Sequence, residues 1–129
     1  MTPFVVRDTA GNILRVGLSQ PEIVALQAEA PDIAEEDVSA DGLDCIAHYY
    51  NGSAYVDKLV MPIVQDVTSI TADGVDLVTF TGIPVGTEVD GITVDDGVLE
   101  FSTNAVGVET FRFTNNPVYI DVTLEVDAV

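Results

Sequence analysis

Hydrophobic and polar positions alternate near the end of the chain. Every second residue from 118 to 126 is aliphatic, namely Val118, Ile120, Val122, Leu124 and Val126. A period of two is typical of a strand with one face in a core and the other in water. Phe111 and Phe113 share one face of "VETFRFT" in the same way. The pattern predicts that five of these side chains are buried: Phe111, Phe113, Ile120, Val122 and Leu124.

Six candidate strands of this kind follow one another between residues 63 and 129. They cover residues 66–71, 75–81, 87–94, 98–103, 108–114 and 118–127, and segments rich in Gly, Pro, Asn and Asp separate them. Short strands at this spacing are typical of a small sandwich of antiparallel sheets. We therefore predict an antiparallel β-sandwich for residues 63–129.

The triplet Asp95-Asp96-Gly97 separates two of these strands, in "GITVDDGVLEF". Asp and Gly accept the tight or positive backbone angles of a turn, so the triplet predicts a hairpin turn. The alternative is a calcium site, because further acids lie in the neighbouring loops at Asp73, Asp76 and Asp90. No window has the ligand spacing of an EF-hand loop. We predict a turn and no metal site.

The first 62 residues have a different pattern. Residues 4–17 read as a β-hairpin, because turn residues separate two apolar runs. A helix is predicted over residues 21–30, where Ser19 and Glu22 have the spacing of a capping box. Ile23, Leu26 and Ala30 would share its apolar face, and the proline that follows would end it.

An acidic stretch, "DIAEEDVSADGLD", comes next and reads as an exposed connection. "CIAHYY" and "SAYVDKLV" then flank Asn51-Gly52, which predicts a second hairpin with this dipeptide at its tip. Pro62 closes the segment, since proline cannot donate to a strand ladder. The expected fold is mainly β, with a small N-terminal ββαββ unit (residues 1–62) followed by the β-sandwich.

Charge narrows the classes of partner. The chain of 129 residues has 22 Asp and Glu against 4 Lys and Arg, a formal net charge of −18. Such a surface repels the phosphate backbone of nucleic acids and anionic membranes, so neither is expected as a partner. Hydrophobic residues make up 47%, enough for a packed core. We therefore expect a folded protein whose acids lie on the surface.

Residues with catalytic or metal-binding chemistry are scarce. Cys45 is the one cysteine and His48 the one histidine, so no internal disulfide can form and a zinc site of the usual type lacks ligands. We interpret Cys45 as a small core thiol and His48 as half-exposed. The sequence contains no nucleophile elbow, phosphate-binding loop or dinucleotide fingerprint. We expect no cofactor and no enzymatic activity.

Tyrosines around the second hairpin are the main candidates for binding. Tyr49, Tyr50 and Tyr55 flank its tip, where they could stack on sugar rings, anchor a protein interface, or pack against one another across the strands. The N-terminal half also holds three of the four cations, and Arg is enriched at interface anchors. The candidate interface or ligand residues are Tyr49, Tyr50, Tyr55, Arg7, Arg15 and Lys58.

Two stretches resemble known families. Residues 79–126, with Gly82-Ile83-Pro84, "DDGVLEF" and Gly107, resemble bacterial and phage immunoglobulin-like modules, although the core Trp and the intersheet disulfide of antibodies are absent. The first half, with its "QA" helix and "HYYNGSAYVDKLVMP", is similar to segments of small virion proteins of tailed bacteriophages. This resemblance implies an immunoglobulin-like fold for the sandwich and a structural part of a virion, and it carries no catalytic residues across.

The expected function is therefore that of a tail-associated fibre or adaptor subunit, or a capsid decoration protein. Its expected partners are other virion proteins, in a homo-oligomer or multi-copy array, with its N-terminal half docking and its acidic sandwich projecting. No signal-peptide pattern opens the sequence, so synthesis in the host cytoplasm and assembly into the virion are expected. The alternatives are a carbohydrate-binding or host-surface adhesion module, with a glycan as partner, and a small lytic or depolymerising enzyme.

Overall fold

The structure is a computed structural model that describes all residues from Met1 to Val129. The chain divides into two compact units, Met1–Leu59 and Val60–Val129. Strands account for 47% of the residues and helices for 8%, which confirms the mainly β class. Neither of its two short 3-10 helices has the length and apolar character that crossing a membrane requires.

A three-stranded antiparallel sheet forms most of the N-terminal unit. Its strands are β1 (Thr2–Arg7), β2 (Ile13–Ser19) and β3 (Ile33–Glu36), in the order β2-β1-β3. The predicted first hairpin is confirmed as β1 and β2. β3 corrects the prediction of an exposed connection here: two of its four residues are glutamates, which are uncommon in strands.

The predicted α-helix is wrong in type, length and buried face. Pro21–Gln27 form a 3-10 helix without a side-chain cap, and the Ser19 hydroxyl donates to the Gln20 carbonyl instead of capping. Ser19 belongs to β2 and is buried, so it cannot turn towards a helix end. Val24 is the buried residue of this helix, whereas Ile23 and Leu26 are exposed. Together with Phe4 and Val6, Val24 forms the small core of this face.

The second predicted hairpin is confirmed. β4 (His48–Tyr50) and β5 (Tyr55–Asp57) pair antiparallel, with Asn51 and Gly52 in the connection. The Asn51 side-chain oxygen accepts hydrogen bonds from the backbone N–H groups of Ser53 and Ala54, each at 2.9 Å. A second 3-10 helix, Ala40–Gly42, precedes this hairpin.

The remaining strands are short and lie mainly in two sheets; the first of them, β6, has one residue in each unit and the others belong to the second unit. Their bounds are β6 (Leu59–Val60), β7 (Val64–Gln65), β8 (Ser69–Ile70), β9 (Val78–Thr81), β10 (Thr87–Val89), β11 (Ile92–Val94), β12 (Leu99–Phe101), β13 (Gly107–Thr114), β14 (Tyr119–Ile120) and β15 (Val122–Ala128). One sheet has the order β11-β10-β13-β15-β8 and the other the order β12-β9-β7. β15 and β8 are parallel, so the five-stranded sheet is not purely antiparallel as predicted.

Aromatic rings join these two sheets. Phe80 on β9 contacts Phe111 and Phe113 on β13, with ring centroids 5.0 and 5.5 Å apart. Phe101 on β12 meets Phe111 edge-on at 5.0 Å. Phe80 and Phe113 are fully buried and Phe111 nearly so, which confirms the prediction for the two residues of β13.

The alternation predicted for residues 118–126 holds only in part. Val122 and Leu124 are partly buried against the core and Val126 is fully buried. Asp121 lies outside both β14 and β15 and interrupts the strand. Ile120 is partly buried, as Val122 and Leu124 are, but it does not pack against this core, whereas Tyr119 before it does.

Two turns differ from the prediction. Residues 87–94 were expected to be one strand, but Asp90 and Gly91, with φ of 50° and 82°, form the tip of a hairpin between β10 and β11. Asp-Gly is the dipeptide that such two-residue hairpin turns favour. Asp96 and Gly97 do lie in a bend, yet the strands on either side belong to different sheets. The predicted hairpin at "DDG" is therefore a crossing from one sheet to the other.

Candidate functional site

Arg7 is the centre of a polar cluster inside the N-terminal unit. The residue is only 8% exposed, and its guanidinium contacts the Glu35 carboxylate and the Tyr55 hydroxyl. The Arg7 Nη1 to Tyr55 Oη distance is 2.6 Å, and the same hydroxyl donates to Glu35 Oε1 at 2.6 Å. Each of the three side chains therefore contacts the other two.

Two aromatic rings enclose the same guanidinium. Its carbon lies 3.7 Å from the centroid of the Tyr50 ring and 5.8 Å from that of Tyr55. The two rings are tilted against each other with centroids 4.9 Å apart. A cation above an aromatic face is attracted by the negative charge of that face. Arg7 is therefore held by hydrogen bonds on one side and by an aromatic face on the other.

Strand register explains this arrangement. Val5 faces Glu35 and Arg7 faces Ile33 in the β1/β3 pair, so Arg7 and Glu35 are diagonal neighbours on one face of the sheet. Tyr50 and Tyr55 are directly opposite each other in the second hairpin.

Burial and hydrogen bonding fix the charge states. Burial is the largest effect on the pKa of Tyr55 and raises it, and the hydrogen bond to Glu35 raises it further. Burial acts to lower the pKa of Arg7, but the hydrogen bonds with Tyr55 and Glu35 outweigh that effect, so the pKa of Arg7 is raised. The cluster is therefore a charged guanidinium held by a neutral phenol and a carboxylate.

An open cleft of about 440 Å³ lies beside the cluster. Its walls come from the end of β3, the segment that follows it and the second hairpin. The lining residues are Glu35, Glu36, Asp37, Ser39, Tyr50, Ser53, Ala54 and Tyr55. Carboxylates, hydroxyls and tyrosine rings in one depression can bind a cation or the hydroxyl groups of a polar ligand.

The remaining candidate residues lie outside this cluster. Arg15 donates to the backbone carbonyl and side-chain oxygen of Gln27, and its guanidinium carbon lies 5.4 Å from the centroid of the Phe4 ring. Lys58 donates to the Cys45 carbonyl at 3.0 Å. Tyr49 is half-buried in β4 and does not line the cleft. Of the six predicted residues, the structure brings together Arg7, Tyr50 and Tyr55.

Cys45 and His48 differ in their surroundings. Cys45 is exposed, so its interpretation as a core thiol is wrong. The turn before β4 accounts for this, because the backbone there folds around the Asp44 carboxylate rather than continuing a strand. His48 is partly buried, with Nδ1 accepting from the Asp44 backbone N–H at 3.2 Å and Nε2 lying 3.2 Å from Asp57 Oδ1.

Several acids proposed as alternative calcium ligands hold turns instead. Asp73 Oδ1 accepts from the backbone N–H groups of Asp76 and Val75, and these bonds lower the pKa of Asp73. Asp76 Oδ2 accepts from the Thr71 N–H at 2.8 Å, and Asp96 Oδ1 from the Val98 N–H at 3.1 Å. No group of three or more His, Cys, Asp or Glu side chains is arranged to hold a metal ion.

Glu35 is the site residue that sequence reasoning missed. It stands in the acidic stretch interpreted as a connection, where nothing distinguishes it from Glu36. A pairing of "FVVR" with "IAEE" would have identified it, because that register puts Glu35 beside the one buried arginine. Compared with family models, curated proteins and solved structures, the chain matches none of them.

Proposed function

We propose that this chain is a non-catalytic structural component of a bacteriophage virion, present in many copies and docked onto neighbouring proteins through its N-terminal unit. The second unit, with most of the negative charge, projects from the particle. The motif resemblance described above supports the phage assignment. Exposed Leu and Ile side chains and the charge of the two units support the docking role.

Exposed large aliphatic side chains support docking by the N-terminal unit. Seven Leu and Ile residues are exposed in Met1–Leu59, against two in Val60–Val129. Those of the first unit are Leu14, Leu18, Ile23, Leu26, Ile33, Ile46 and Leu59, and those of the second are Leu77 and Ile92. Burying such side chains against a partner contributes about 25 cal/mol per Å² of apolar area. With Val and Met included, the first unit exposes nine large apolar side chains and the second eleven, nine of which are valines. The bias therefore concerns the longer Leu and Ile side chains, and it is the observation that carries the proposal.

Charge distribution also favours the first unit as the docking surface. Residues 1–59 hold three Lys and Arg and ten Asp and Glu, a net charge of −7, against −11 for residues 60–129. The less negative unit is repelled less by an acidic neighbour, while mutual repulsion keeps projecting units apart. Arg7, Arg15 and Lys58 already donate to groups of their own unit, so we propose apolar contacts as the main anchors.

We also propose that the second unit is an immunoglobulin-like sandwich. Its strand order supports this: β11-β10-β13-β15 corresponds to the C′-C-F-G order of immunoglobulin domains, and β12-β9-β7 to E-B-A. The strand at position A is divided, with β7 in one sheet and β8 in the other. Phe80, Phe111 and Phe113 fill the position between the sheets that a Trp and a disulfide occupy in antibody domains.

A carbohydrate-binding role has one observation in its favour, the polar cleft beside Tyr50 and Tyr55. The tyrosines are poorly placed for it, because the Arg7 guanidinium covers one face of Tyr50 and the Tyr55 hydroxyl is engaged by Arg7 and Glu35. We therefore rank this function below docking.

Mass spectrometry of virions purified by density gradient, from the phage that encodes this chain, tests the proposal. We expect the chain to co-purify in a fixed ratio to the other particle proteins and to remain bound after washing at moderate salt. A lysate from the same infection, cleared of particles, is the control. Recovery of the chain only from that cleared fraction would refute the virion assignment.

A further inference from the structure

Two clefts in the N-terminal unit share one segment of the chain. The first is the polar cleft described above, called here the acidic cleft. The second, of about 430 Å³, is called the apolar cleft. Its lining residues are Pro3, Val16, Gly17, Leu18, Val38 and Asp41. Asp37 and Ser39 line the acidic cleft, whereas Val38 and Asp41 line the apolar one. Residues 37–41 therefore form a ridge between two chemically different depressions.

Hydrogen bonds hold this ridge in place. The Asp37 N–H donates to the Pro3 carbonyl at 3.1 Å, which ties the ridge to β1. The Asp37 carboxylate accepts from the Ser39 N–H at 2.8 Å, and the Asp37 carbonyl accepts from the Ala40 N–H at 3.1 Å. Ala40, within the ridge, is fully buried. Both clefts are therefore formed before any partner binds, which lowers the ordering cost of binding.

Charge in the acidic cleft is only partly balanced. Glu35 is paired with Arg7. Glu36 forms no ion pair, and the Asp37 carboxylate accepts only from Ser39. The cleft lining thus includes two carboxylates that pair with no cation of the chain, and these attract a guanidinium or an ammonium group. On the other side of the ridge, Val38 is 94% and Leu18 61% exposed, and both would gain by contact with an apolar side chain.

We propose that these clefts together bind an extended segment of a different protein, which places an Arg or Lys side chain in the acidic cleft and an apolar side chain in the apolar cleft. This inference rests on the proposed docking role and names the partner's chemistry. A second copy of the chain fits less well, because the net charge of −18 opposes self-association and three of the four cations already donate to their own unit.

A peptide probe tests the inference on the full chain. Acetyl-Arg-Gly-Gly-Gly-Gly-Leu-amide carries both side chains on a flexible linker that adapts to separations shorter than its extended length. We expect titration with this peptide to shift the backbone amide resonances of residues 16–18, 35–41 and 53–55. Its affinity should fall as salt is added. The same peptide with Glu in place of Arg, and one with Ser in place of Leu, should bind more weakly.

Variants of the protein then separate the two clefts. Glu36→Gln with Asp37→Asn should raise the Kd for the Arg peptide by about two- to fivefold per carboxylate. For the variant that combines Leu18→Ser with Val38→Ser, the Leu peptide and the Ser peptide should have the same Kd. The matched control combines Glu22→Gln with Glu29→Gln, which removes two exposed charges outside both clefts. Its Kd should change only by the small amount that follows from the lower net charge.

Three results would overturn the inference. They are an absence of amide shifts at both clefts, equal binding of the Arg and Glu peptides, and a concentration-dependent dimer that buries these same residues. Failure of this kind leaves the virion assignment standing if the chain still co-purifies with particles. Conversely, peptide binding by a chain that is absent from purified virions would refute the virion assignment and leave the docking chemistry intact.

Discussion

The Phe80 ring meets the Phe113 ring edge-on across the interior of the second unit, with their centroids 5.5 Å apart. One ring belongs to the three-stranded sheet and the other to the five-stranded sheet. Both side chains are completely buried. The contact joins the two sheets directly.

Phe113→Ala should therefore destabilise the second unit strongly. Removing a fully buried phenylalanine loses its burial and leaves a cavity, a cost of about 3–5 kcal/mol in the free energy of unfolding. Urea unfolding followed by circular dichroism, with amide exchange to assign the loss to residues 60–129, measures it. Val106→Ala changes a side chain that is 76% exposed and should cost less than about 0.5 kcal/mol. Equal effects of the two substitutions would contradict the packing described.

Glu35→Gln tests the cluster around Arg7. The substitution keeps the size of the side chain but removes the charge that faces a guanidinium whose side chain is 10% exposed. We expect a loss of about 1–3 kcal/mol in the unfolding free energy, the range for hydrogen bonds to charged groups. Glu36→Gln, one position along the same strand and without an ion pair, is the control and should be nearly neutral. If both variants were equally stable, Glu35 would have no special role.

The raised pKa of Tyr55 makes stability depend on pH in the alkaline range. The folded state keeps the phenol proton at pH values where the unfolded chain, with an ordinary pKa of 10.0, releases it. The contribution is therefore complete below pH 10 and is lost as the pH rises further. Urea midpoints measured on both sides of pH 10 should fall more steeply for the natural chain than for Tyr55→Phe, which lacks the titrating group. Parallel slopes would show that Tyr55 ionises as freely in the folded state as in the unfolded one.

Two glycines with positive φ allow a matched comparison. A methyl group on Gly11 would lie 2.2 Å from the Tyr50 carbonyl oxygen, whereas one on Gly52 would meet nothing within 4 Å. Their φ values are similar, 93° and 98°, so backbone strain of about 1 kcal/mol applies to both alanine variants. Gly11→Ala should cost at least about 1 kcal/mol more, because the second hairpin must move away from β2. Thermal unfolding of the two alanine variants measures the difference. Equal melting temperatures would contradict the close approach of Gly11 to the Tyr50 carbonyl.

Calcium should have little specific effect. The Asp73, Asp76 and Asp96 carboxylates already accept backbone hydrogen bonds in their turns. Adding calcium chloride should therefore raise the melting temperature about as much as sodium chloride at equal ionic strength, by screening the repulsion among the acids. A large increase with calcium alone would show that these loops assemble a site.

Alternating sequence patterns predicted the strands that have one buried and one exposed face. They failed where contacts with residues distant in the sequence determine the structure. β13 is identified by its phenylalanines, because alternation reports burial directly. β3 was not predicted, since the partners of its Glu35, Arg7 and Tyr55, lie 28 and 20 positions away in the sequence. The hairpin at Asp90-Gly91 was predictable from its dipeptide, although the β-branched residues on both sides of it favoured a single strand over residues 87–94.

Only part of the cluster around Arg7 could be predicted from the sequence, for the same reason. Tyr50 and Tyr55 stand out because they flank a recognisable hairpin tip, and Arg7 because cations are rare in this chain. That Arg7 lies against the Tyr50 ring depends on how the hairpin packs on the sheet. No pattern within either segment records that packing.

The parallel pairing of β8 with β15 has a mechanical consequence. β8 lies near the start of the second unit and β15 ends it, and they are joined by hydrogen bonds from Asp127 to Thr68 and from Val129 to Ile70, at 3.0 and 2.9 Å. In a parallel pair, the start of one strand and the end of the other lie at opposite ends. A pull on the start of β8 and the end of β15 would therefore slide the two strands along each other and load these bonds together, instead of opening them one after another.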